Sequence, residues 1–98
     1  MYRGFELRTV SGTSAAKISL RQLGLHRPAR VCSVDVSGSG LPQDRARQLA
    51  DIGFVVGERV TVLTRAWPGG DPIVVLVGHS RFALRGAEAA CVQVQEIG

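Results

Sequence analysis

Five stretches of this 98-residue chain show the two-residue apolar–polar period of a β-strand, or a β-branched run of strand length. In residues 30–36, Val31, Ser33 and Asp35 share one face, and Cys32, Val34 and Val36 the other. Residues 59–66 set Val60, Val62 and Thr64 on one face. Residues 72–78 hold the apolar run from Ile73 to Val77, which is rich in β-branched residues. In residues 80–85, Phe82 and Leu84 alternate with Arg81 and Arg85, which places both arginines on the face opposite the apolar pair. Residues 91–97 alternate Val92 and Val94 with Gln93 and Gln95.

One segment changes period. In residues 41–54, Ala46, Leu49, Ala50 and Ile52 recur at helical spacing. Pro42 suits the first turn, Asp44 suits the positive end, and Gly53 ends the helix as a left-handed cap with Phe54 folding back. Leu49, Ile52 and Phe54 are therefore expected to pack on the strands that hold Val60, Val62, Val75 and Leu84. A shorter helical turn is expected at residues 19–23, capped by Ser19 and ended by Gly24. Residues 37–40, 57–58 and 67–72 are dense in turn formers, the last as a hairpin loop. Residues 1–18 alternate poorly and are read as a flexible extension, leaving 19–98 as one domain. The expected fold class is mostly β, a small barrel of about five strands with one helix, because closure removes exposed strand edges.

Composition narrows the class of function. Hydrophobic residues make up 45% and aromatics only 5%, so the core is built from Val, Leu, Ile and Ala. No stretch nears the roughly 20 apolar residues of a membrane span, and the N-terminal segment lacks the apolar run of a secretory signal. Cys32 and Cys91 lie far apart in apolar runs, where a free thiol behaves as a small buried hydrophobe. This points to a reducing, cytoplasmic compartment.

The formal net charge of +4 admits an acidic protein, a nucleic acid or an anionic membrane as partner. The arginines are dispersed, and the aromatics do not interleave with a basic cluster as nucleic-acid stacking would require, so a nucleic-acid barrel is the secondary reading. The glycine loops match no phosphate-binding motif. Cys32, Cys91, His26, His79, Asp35 and Asp71 supply the atom types for catalysis or metal binding, but in no recognised pattern. No catalytic residue and no intrinsic metal site is assigned, and no cofactor is required. The most a metal should find is an adventitious divalent transition ion held by one His and a carboxylate.

The order of motifs in the second half is more specific. The segment RQLADIGF followed by Gly57, the strand VTVLTRA, the loop ending at Gly70–Pro72, and FALRGAEA before a Val-rich strand together resemble the ferrous iron transport protein A (FeoA) family over residues 19–96. Val56 stands where that family often has proline, and the loop with Trp67 and Pro68 is one residue longer. The resemblance implies an SH3-like barrel and a cytoplasmic accessory that modulates FeoB, the ferrous iron permease, through protein contacts. It implies no catalytic residues. A metal-binding regulatory module is a further alternative. The same fold resembles the C-terminal domain of iron-dependent repressors, which need a winged-helix region that residues 1–29 are too short to supply.

The expected contact surface is Trp67 with Arg65, Arg81 and Arg85. A Trp ring supplies desolvated contact area, and arginines steer an acidic partner; the other reading of Trp67 is a ring that lies across the end of the barrel as part of the core.

Overall fold

The computed structural model describes residues 16–66 and 69–97. Within them the chain forms β1 (Ile18–Ser19), a 3-10 turn (Leu20–Gln22), β2 (Ala29–Val34), α1 (Arg45–Ile52), β3 (Arg59–Arg65), β4 (Ile73–Val77), β5 (Ser80–Leu84), α2 (Gly86–Ala89) and β6 (Val92–Glu96). The strands make one antiparallel sheet in the order β1-β6-β2-β3-β4-β5. The fold is mostly β, as expected, with one strand and one short helix more than the pattern foretold. β1 is too short for any periodicity, and its Ile18 pairs with Val94, one residue before the expected domain start. Residues 1–15 of the expected extension lie outside the described residues.

Among the described residues the sheet is barrel-like but not closed, with β1 and β5 at its two ends. Part of the circuit is completed by the chain before β2. Leu25 bridges to Val62 in parallel, and the His26 N–H, with φ at 63°, donates to the Val62 carbonyl at 2.8 Å. β2 itself pairs with β3 only at Ala29–Val60 and Arg30–Arg59.

Two bulges correct the simple alternation. In β2, Val31 pairs with Val94 and Ser33 with Gln93, which leaves Cys32 as the extra residue. Val31 and Val36 are both buried although the two-residue period puts them on opposite faces. Cys32, expected in the core, is half-buried on the bulge. In β3 the shift falls between Val62 and Thr64, at Leu63.

The core joins Leu20, Leu23, Val31, Leu49, Phe54, Val60, Val62, Ile73, Val75, Leu84, Val92 and Val94, all at or below 2% exposed. Full burial of a Leu or Phe side chain stabilises by about 1.5–3 kcal/mol relative to exposure. Leu49 and Phe54 are in this cluster, and Ile52 packs against it from the side. The α1 terminus explains how. The Gly53 N–H donates to the Ala50 and Leu49 carbonyls, and the Phe54 N–H donates to the Leu49 carbonyl at 3.0 Å. Gly53 sits at φ 135°, where an L side chain is strained. A Cβ there would also meet Val77 Cγ1 at 2.9 Å.

Candidate functional site

Arg81 of β5 and Arg85, the residue after its end, are both exposed, as the alternation implied. Arg81, Ala83 and Arg85 are exposed, Phe82 is half-buried against the core, and Leu84 is buried. Arg81 lies opposite Leu76 and Ala83 opposite Val74 on the neighbouring strand. β4 and β5 are joined by the two-residue turn Gly78-His79, with Gly78 at φ 59°. This strand ends the sheet, so its arginines stand at a rim.

Behind the rim, α2 is held by two carboxylates. The Glu88 Oε1 accepts the Arg85 backbone N–H at 3.0 Å, and its Oε2 pairs with the Arg45 guanidinium of α1. The Asp71 Oδ1 accepts the Gly86 N–H at 2.8 Å. A Cβ on Gly86 would meet Asp71 Oδ2 at 3.2 Å and Arg21 Cζ at 3.3 Å, so the β3–β4 loop and the 3-10 turn both close on this glycine. A hollow of about 290 Å³ lined by Asp71, Pro72, Ala83 and Arg85 opens beside it. Ala83 and Glu88 lie within the segment FALRGAEA, but nothing in the sequence singles out either for a role of its own. The turn Gly78-His79 between two strand patterns was the signal that could have exposed the rim, because it sets the register of β5.

The other two expected contact residues fare differently. Arg65 is half-buried, and its Nη2 donates to the Leu23 carbonyl. Its guanidinium straps β3 to the end of the 3-10 turn, so the structure gives it an internal partner. Trp67 and Pro68 lie outside the described residues.

The atom types for chemistry are dispersed. Cys91 is buried, with its thiol donating to the Ala87 carbonyl at 3.3 Å. His79 is exposed in the β4–β5 turn, and His26 is exposed beside β3. Asp35 comes just after β2, where its Oδ1 accepts from the Ser37 hydroxyl at 2.6 Å and the Ser37 N–H at 3.0 Å. These two bonds hold its carboxyl below the usual carboxylate range. Among the described residues, no three His, Cys, Asp or Glu side chains gather where they would hold a metal ion. A second hollow, about 400 Å³, lies between the loop that Asp35 opens and Ala46 of α1. Also among the described residues, no helix is long and apolar enough to cross a membrane.

Among the described residues, a bulged six-stranded antiparallel sheet around one core, with a short helix between its last two strands, defines the small SH3-like barrel class. Within that class the FeoA domain family matches residues 18–96, and the chain belongs to this family. The zinc-complexed FeoA of Stenotrophomonas maltophilia is described as an SH3 domain protein and a candidate ferrous iron transport activating factor. It is 42% identical over 79% of this chain and 88% of that one, with a TM-score of 0.68. The FeoA protein of Chlorobium tepidum is 31% identical over 83% of this chain and 71% of that one, with a TM-score of 0.70. A manganese-dependent transcriptional repressor shares the fold alone, at 21% identity, over 87% of this chain and 44% of the repressor, with a TM-score of 0.68. No curated protein matches this chain in sequence.

Proposed function

We propose that this protein is an accessory of ferrous iron uptake that acts from the cytoplasm by binding the FeoB-type permease. The observation that carries the reading is the FeoA match, which spans the whole sheet from Ile18 to Glu96. The exposed arginines of the β5 rim support it physically, since a cationic rim favours encounter with an acidic protein surface. The protein carries out no chemistry of its own. It shifts its partner's conformational population by binding one state better than another.

Calorimetry with the cytoplasmic GTP-binding part of the permease, and a pull-down from native membranes, test the reading. The expected result is saturable binding accompanied by a changed GTP turnover. Absence of binding to both the isolated part and the membrane-embedded permease would overturn it. Affinity for any polyanion that collapses steeply with salt would instead favour a nucleic-acid partner.

A further inference from the structure

We propose that the free edge of β5 accepts an extended acidic segment of the partner protein as an added strand, with Arg81 and Arg85 meeting carboxylates spaced four residues apart. The proposal rests on the preceding reading for the identity of the partner, while its geometry stands on the sheet alone.

The register of the last hairpin carries the inference. Val77 and Ser80 close the two-residue turn and pair with each other. In such a hairpin, the pair flanking the turn exchanges both of its backbone hydrogen bonds. Alternation along β5 then aims the N–H and C=O groups of Ser80, Phe82 and Leu84 at β4, and those of Arg81 and Ala83 away from it. Among the described residues, nothing pairs with these outward groups. The row stops at Arg85, whose N–H is taken by Glu88. An incoming strand therefore has a defined site of two residues and four backbone groups, which suits strand addition.

Side chains specify the occupant. Strand alternation puts Arg81 and Arg85 on the same face, Arg85 being still extended (φ −72°, ψ 154°) just past the end of β5; both are exposed, and neither has a carboxylate partner among the described residues. Between them Ala83 is small, so a neighbouring backbone meets little obstruction. On the opposite face Phe82 is only half-buried, and an apolar residue of the added strand would cover it. The hollow beside Ala83 and Arg85 offers room for one side chain of that strand. The matching segment is extended, acidic at two positions four apart, and apolar between them.

Charge argues against the occupants closest at hand. A second copy of β5, added antiparallel, would crowd the arginines of both copies onto one face of the new pair, with no carboxylate in residues 80–85 to offset them. Residues 1–15 of this chain carry Arg3 and Arg8 against Glu6 alone, again a positive balance.

The test uses the full chain and a capped heptapeptide, Thr-Glu-Val-Thr-Val-Glu-Thr, with a control in which lysine replaces both glutamates. Amide hydrogen exchange at Arg81 and Ala83 should slow by about tenfold or more with the acidic peptide and stay unchanged with the basic one. Ala83→Pro removes an outward N–H that the sheet does not use, so the domain should fold and lose peptide binding by about tenfold or more. Arg81→Glu combined with Arg85→Glu should do the same through charge. Unchanged binding by folded Ala83→Pro, or protection that appears elsewhere on the surface, overturns the proposal. So does protection of these amides that rises with protein concentration in the absence of peptide, which would mark a dimer. Should Ala83→Pro fail to fold, the wild-type exchange pattern with the two peptides decides. Permease binding that Ala83→Pro leaves intact sinks the strand-addition proposal and spares the accessory reading. Edge protection by the peptide without any permease binding does the reverse.

Discussion

The two ends of the sheet solve one problem differently. At the β1 end only two residues pair, and the chain turns at once into the 3-10 turn whose Leu20, with the adjoining Leu23, is fully buried. At the β5 end five residues pair, the outer backbone groups have no partner among the described residues, and Arg81 and Arg85 stand beside them. Short strands and exposed charge are both recognised ways to keep an edge from indiscriminate pairing. The first closes the edge by burying the next turn of the chain. The second leaves the edge usable but restricts who can use it. A closed barrel, the sequence-based expectation, would have needed neither device.

The contrast is sharpest in stability. Leu23→Ala empties a core position behind the closed edge and should cost about 2–5 kcal/mol in chemical denaturation. A loss under about 0.5 kcal/mol, the range of surface changes, would mean that the closed edge is not packed as described. Gly53→Val tests whether the two ends are independent. It combines positive-φ strain with a clash on Val77, the residue that closes the β4–β5 turn, and should cost about 2 kcal/mol or more. If the coupling is real, amide exchange at Ser80 and Arg81 should quicken as well. Arg65→Ala removes the strap on the Leu23 carbonyl and should cost about 1–2 kcal/mol. Were Arg65 a contact residue only, its loss would leave stability unchanged and weaken binding. Arg81→Glu with Arg85→Glu should shift stability by under about 0.5 kcal/mol, because both side chains are exposed and unpaired among the described residues. A large loss there would make the open edge structural and erase the contrast.

The smallest effect belongs to acid, and it should leave both edges alone. Asp35 titrates below its ordinary range because Ser37 donates to its charged form. A depressed folded pKa means that its contribution is present above the unfolded value, about 3.9, and is lost as pH falls through the folded value. Wild type should therefore lose a small margin of Tm over Asp35→Asn between neutral pH and pH about 3. Equal slopes for the two proteins would show that the loop carbonyl and hydroxyl contacts, not the carboxylate, hold that turn.

Most of the sheet was legible because its strands keep their period and end at glycines and prolines. Gly53 was legible because a glycine after an apolar helical stripe has a mechanical use at that point. The bulges at Cys32 and Leu63 were not, since one extra residue depends on the partner strand, which a single stretch of sequence does not show. β1 was hidden by its length. Within the candidate site, Arg81 and Arg85 were read correctly as exposed neighbours. Arg65 looked equivalent, but its partner is a backbone carbonyl 42 positions away, which no local pattern encodes. Ala83 has no chemistry to attract notice, and its place on an open edge comes from the register of the hairpin.

That register makes the length of one turn a parity setting for the whole rim. With two residues between Val77 and Ser80, arginines face outward and Phe82 and Leu84 face inward. A single residue inserted beside Gly78 would invert every position of β5 if pairing shifted with it, sending charge toward the core and apolar side chains into water. The strand itself would be unaltered in composition, yet it would no longer suit either of its neighbours. Natural variation in this region should consequently tolerate exchange of His79, an exposed turn residue, far better than any change in the number of residues around it.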